Sequence, residues 1–194
     1  AKLLSEFPGV QPGLVVDKTR STSVKTRFVA GNQQLLRTDI DDDRLVSDGT
    51  VKALIAATLE NLPQADALVI SDYAKGVLGD DLLATVIAAA KDAGVPVVAD
   101  PKGHDFSRYR GADVLTPNRA ELQAASMLPV GSDEEAEVAA GQIQEECGIA
   151  AILATRGPQG MTLMAAETGP LHIATEAREV FDVSGAGDTV VAAL

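Results

Sequence analysis

Residues 65–103 read ADALVISDYAKGVLGDDLLATVIAAAKDAGVPVVADPKG. ADALVIS, 65–71, is an apolar run of strand length. DDLLATVIAAAKDA, 80–93, spaces its apolar residues at helical intervals and is built from good helix formers. Gly94 stops the helix, and VPVVAD supplies a second buried strand ending at Asp100. A strand, a helix and a strand joined in this way form a crossover, which makes the two strands parallel neighbours in one sheet.

The alternation extends in both directions. TVKALIAATLEN, 50–61, predicts a helix before the first strand. ADVLTPN, 112–118, predicts a strand, followed by helices from about Pro117 to Ser126 and from about Ser132 to Glu146, and by the strand IAAILAT. Residues from about 50 to 194 therefore read as an α/β core with a mostly parallel sheet layered between helices. Residues 14–40 differ: LVVD, VKTRFVA and QQLLRTDI are separated by Gly and polar residues without helical spacing. They predict a small β flap on the main sheet.

Composition narrows the classes. A chain of 194 residues, 46% hydrophobic and 23% charged, suffices for one substantial core. The formal charge of -12 argues against a large electrostatic footprint for nucleic acid or an anionic membrane. AKLLSEFPGVQPG lacks the pattern of a secretory signal, and no apolar run reaches membrane-spanning length, so a cytoplasmic location is the expectation. Cys147 is the single cysteine and reads as packing. His104 and His172 show no metal-like clustering.

In an open parallel sheet, ligands collect beyond the carboxyl ends of the strands. SDYAKG, DPKG, TPNRAE and TRGPQG all fall there. The strongest motif is DVSGAGDT, 182–189, followed by the apolar start of a helix. Gly185 and Gly187 permit tight backbone geometry, so that successive amides, with that of Ala186, face an anion at a helix N-terminus. A carboxylate beside such a cradle, Asp188, either caps the helix or accepts a proton from an attacking nucleophile. The stretch lacks the third glycine of GxGxxG, which argues against a dinucleotide-binding oxidoreductase.

DVSGAGDT resembles the C-terminal signature of the ribokinase, or phosphofructokinase-B, family of carbohydrate kinases, with Ser184 where the family usually has threonine. TPNRAE resembles the family's NxxE motif at Asn118 and Glu121, and TRGPQG its phosphate-proximal TxG loop at Thr155 and Gly157. The resemblance implies a ribokinase-like three-layer α/β/α fold, ATP and Mg2+, with Asn118 and Glu121 organising the ion through water. VKTRFVAGNQQLLRTDID, ISDYAKGVL, DPKG, LTPNRAEL and EVFDVSGAGDT resemble the family's heptose-phosphate kinases. This implies phosphorylation of D-glycero-D-manno-heptose 7-phosphate at C-1, in lipopolysaccharide precursor synthesis. Such kinases occur alone or fused to an adenylyltransferase domain; no HxGH-type motif occurs in these residues. A homodimer formed through the flap is also implied.

The remaining polar residues admit two readings. Asn118 and Glu121 also fit a capping box, and Thr155 and Gly157 fit plain loop punctuation. Lys102 is either a solvated loop cation or a partner for phosphate. Asp72, Tyr73 and Lys75 form a polar turn or contact the sugar. Gln33, Gln34 and Arg37, with Lys25 and Arg27, lie on the wet face of the flap or recognise a phosphosugar. The chain lacks the opening strand and Gly-Gly sugar motif of the family and stops soon after Asp188, so it reads as truncated at both ends. A different sugar kinase of the family, or a non-catalytic nucleotide- or sugar-phosphate-binding fragment, is the alternative.

Overall fold

Ser47 opens the first helix, α1 (Asp48–Asn61), because its hydroxyl accepts from the Thr50 amide. The computed structural model describes residues 3–31, 33–176 and 185–194. α2 (Asp80–Ala93) turns Leu82, Leu83, Val86, Ile87 and Ala90 inward and ends on Gly94, whose amide reaches back to the last turn. Capping boxes open α3 (Arg119–Ser126), through Asn118 and Glu121, and α4 (Asp133–Cys147), through Ser132 and Glu135. α5 (Ala186–Ala193) begins at Gly185.

Two strands, β1 (Val24–Ala30) and β2 (Gln33–Ile40), form an antiparallel ribbon separate from the main sheet. The flap's pairing begins at Val24 rather than at Leu14. Asp17 instead accepts from the amide and hydroxyl of Thr19, a local turn that competes with extended pairing.

The main sheet holds six strands in the order β3 (Leu68–Ser71), β4 (Val97–Asp100), β5 (Val114–Leu115), β6 (Ala151–Thr155), β7 (Met161–Ala165) and β8 (Gly169–Ile173). The first four run parallel, as their crossovers require, and β7 and β8 add an antiparallel meander. Ile70, Val97, Ala99, Leu115, Ile152 and Ala154 join the inward faces of α2 and α4 in one buried cluster. Val98 and Leu153, one position out of phase, are buried but outside that cluster, so the sheet is covered on both faces. No described helix is long and apolar enough to cross a membrane.

Candidate active site

The carboxyl ends of β3, β4, β5 and β6 bring the polar loops together. The Asp72 amide donates to the Asp100 carbonyl, that of Thr116 to Ala99, and that of Thr155 to Pro117. Thr155 thereby lies alongside Asn118 in an isolated parallel bridge. Asn118 caps α3 by accepting from the Glu121 amide at 3.0 Å, while Glu121 Oε2 accepts from the Asn118 amide at 2.9 Å. The capping box is therefore real. It leaves Glu121 Oε1 free to receive Lys102 Nζ, and this bond with the carboxylate's charge raises the lysine's proton affinity.

Gly157 opens a one-turn 3-10 helix directly after Thr155. Gly185 is the N-cap of α5 in the left-handed conformation, φ 78, which glycine adopts without a Cβ penalty. It makes no side-chain cap. Asp188 sits in the first helical turn, three residues on, so the cap position belongs to Gly185 and not to the carboxylate. Asp182 to Ser184 of the same motif lie outside the described residues.

Asp100, not singled out from the sequence, completes the constellation. Burial pushes its carboxyl above the ordinary range, the Thr116 hydroxyl works against that, and the negative charges of Glu121 and Asp188 add to it. Three carboxylates thus share one field with Lys102 as the neighbouring cation. Hard oxygen donors in one or two carboxylates, completed by phosphates and water, are what Mg2+ takes. Among the described residues no group of three or more His, Cys, Asp and Glu side chains is placed to hold a metal by itself.

The sugar-side candidates are arranged differently. Asp72 is buried: its carboxylate accepts the Tyr109 hydroxyl at 2.7 Å and the Ala74 amide at 2.8 Å, with Arg108 at 3.5 Å. Tyr109 also accepts the Lys102 amide at 3.2 Å, so one phenol ties the loop after β3 to the loop after β4. Lys75 Nζ pairs with Asp41 at the foot of the flap, and its carbonyl accepts from Arg20. Gly76 lets the flap root approach: a Cβ there would stand 1.9 Å from the Arg44 carbonyl. Gln33 and Arg37 lie out on β2 and are not brought against the loops.

Arg156 is the other residue the sequence reading passed over. It is buried and donates to Asp133, leaving Nε and Nη1 without partners among the described residues. Together with a Gln159 bond to the Gly131 carbonyl, it fastens the TRGPQG loop to the start of α4.

A glycine N-cap opening α5, a carboxylate in its first turn and the charge coupling of that carboxylate to Asp100 are features that a phosphoryl-transfer site uses. The model of the pfkB family carbohydrate kinases matches residues 9–194, and the chain belongs to that family. It is 49% identical over 191 residues to the bifunctional protein HldE of Rhodospirillum rubrum, covering 98% of this chain and 37% of the relative. It is 47% identical over 193 residues to the bifunctional protein HldE of Paramagnetospirillum magneticum, covering 100% of this chain and 40% of the relative. The chain thus spans well under half the length of these relatives. Arabidopsis thaliana ribokinase, solved with ribose and ATP, superposes with a TM-score of 0.62 at 23% identity over 81% of this chain and 51% of that one. The fold is ribokinase-like.

Proposed function

We propose that this chain transfers the γ-phosphoryl group of ATP to the C-1 hydroxyl of D-glycero-D-manno-heptose 7-phosphate, giving the 1,7-bisphosphate, as a step towards a lipopolysaccharide precursor in the cytoplasm. The observation that carries the reading is Asp188 in the first turn of α5, beside a glycine N-cap, its negative charge felt at Asp100. The likeness of the flap and loop motifs to heptose-phosphate kinases supports the choice of sugar, and the similarity to bifunctional HldE proteins supports a parent with a second, adenylyltransferase, domain.

Asp188 accepts the proton of the anomeric hydroxyl as its oxygen bonds to the γ-phosphorus and the bond to the bridging oxygen of ADP breaks. The amides of Gly185, Ala186 and Gly187 face the charge on the phosphoryl group. Lys102, Thr155 and Gly157 border the nucleotide phosphates. Asn118 and Glu121 would hold Mg2+ through water, and the ion would offset phosphate charge. Asp72 and Lys75 shape the sugar side, with Gln33 and Arg37 on a flap that excludes water. The flap's exposed apolar residues support a homodimer formed through it.

Assay of the full-length protein against a panel of sugars and sugar phosphates, with the product position read by NMR, tests the substrate; phosphorylation of another sugar alone overturns it. Asp188→Asn tests the base. Turnover is expected to fall by about a hundredfold to ten-thousandfold with ATP binding kept. A folded, ATP-binding variant with near-normal turnover overturns the assignment.

A further inference from the structure

The flap is a two-faced ribbon. Cross-strand partners share a face, as do residues two apart in one strand. The pairs Val24–Ile40, Thr26–Thr38 and Phe28–Leu36 therefore make one face, while Lys25–Asp39 and Arg27–Arg37 make the other. The sorting holds up to the register shift between Phe28 and Val29. Every residue of both strands is exposed.

Arg27 and Arg37 stand directly opposite each other. Like charges at such a position, with side-chain roots about 5 Å apart, weaken a strand pair. Asp39 relieves this only in part, because it already accepts Lys25 at 3.1 Å and Arg37 Nε at 3.0 Å. Among the described residues Arg27 has no ion-pair partner. On the two strands three cations thus meet one carboxylate, the nearby Asp41 being taken by Lys75, on a chain whose net charge is -12. An acidic protein that concentrates positive charge at an unfavourable register position is built there to meet an anion. The same face continues inward: Lys25 also lines a cavity of about 440 Å³ between the flap root and the loop after β3, with Arg20, Ser21, Tyr73 and Lys75 on its walls.

We propose that Arg27 and Arg37 form a clamp for the phosphomonoester that the acceptor sugar already carries. This deepens the proposed function and rests on it: the cavity takes the sugar and the paired guanidinium forks take its phosphate, each fork matching two oxygens of the dianion. The clamp makes the enzyme select phosphosugars over free sugars.

The test compares the full-length wild type with Arg27→Gln, Arg37→Gln and Arg27→Lys. It uses KM for heptose 7-phosphate, for the free heptose and for ATP, with inorganic phosphate titrated by calorimetry. Each Gln variant is expected to raise the phosphosugar KM by about tenfold to a hundredfold, the range for a lost charge-assisted hydrogen bond. KM for ATP and for the free sugar stay unchanged, so the preference for the phosphosugar collapses. Arg27→Lys recovers part of it, keeping the charge without the fork. An unchanged preference in both Gln variants overturns the clamp. Should the wild type phosphorylate only unphosphorylated sugars, the substrate reading fails separately. The clamp is then decided by phosphate binding: its loss in Arg27→Gln supports it, and equal binding overturns it.

Discussion

Tyr109 does two jobs with one oxygen, donating to Asp72 and accepting from the Lys102 amide while fully buried. Its proton is held well above the usual phenol range, by burial first, so it remains a donor throughout the working pH range. Tyr109→Phe keeps the ring packing but leaves the Lys102 amide without its acceptor and Asp72 Oδ2 with only the 3.5 Å contact to Arg108. It is expected to remain folded while losing about 1–3 kcal/mol in urea denaturation; unchanged stability would show that water replaces the phenol. A second residue-scale effect is acid sensitivity at the flap root. Asp17 is lowered to about 2, chiefly by the Thr19 hydroxyl and amide, and it also accepts from Thr50 of α1. A depressed carboxylate contributes stability that is present above its unfolded value, about 3.8. That contribution disappears as pH falls towards 2. Melting curves between pH 5 and 2 should therefore decline less steeply for Asp17→Asn than for the wild type; parallel declines would remove Asp17 from the account. Asp188, Asn118, Glu121, Thr155 and Gly157 could be named as candidates because each sits in a short motif. Tyr109, Asp100 and Arg156 were not: a loop tyrosine, a strand-end aspartate and a loop arginine acquire their meaning only from partners brought in by the sheet.

At the scale of elements, the flap separates its two tasks by the two-residue period of a strand. The charged face carries Lys25 at the cavity of the flap root and Arg27 and Arg37 further out, and Val24, Phe28, Leu36 and Ile40, at least half exposed, are left on the other. A second copy of the chain covers that apolar face in the proposed homodimer. Phe28→Asp is expected to convert dimer to monomer in analytical ultracentrifugation while the α/β core melts as before, because Phe28 takes no part in the core cluster. A dimer that survives this change forms elsewhere. Helices and the parallel strands were readable because apolar spacing, caps and Gly94 all point the same way. The β7–β8 hairpin was missed: MTLMAAETGPLHI carries Met, Ala and Pro, which signal strands weakly, and its pairing with β6 sets its identity. Leu14–Asp17 erred in the other direction, since a run of three apolar residues is too short to outweigh the Asp17 turn.

For the whole molecule, sheet order matters more than any single contact. Strand β3 is hydrogen-bonded on one side to β4 and, among the described residues, to no strand on the other. Val69, in its centre, is 51% exposed. An uncovered edge with an apolar side chain is a template for pairing with another chain, and natural sheets blunt such edges with charge. The 194-residue chain by itself should therefore associate beyond any flap-mediated dimer, in a manner that grows with concentration. Val69→Lys places a charge on that edge without touching the core cluster, so it should suppress the larger species and leave a discrete dimer in ultracentrifugation. Phe28→Asp should do the converse, removing the dimer but not the edge association. Should the wild-type chain stay a single species across a hundredfold range of concentration, the β3 edge is protected. If Val69→Lys instead dissolves the dimer while Phe28→Asp leaves it intact, the two copies meet along the sheet edge, and the flap's apolar face faces something else.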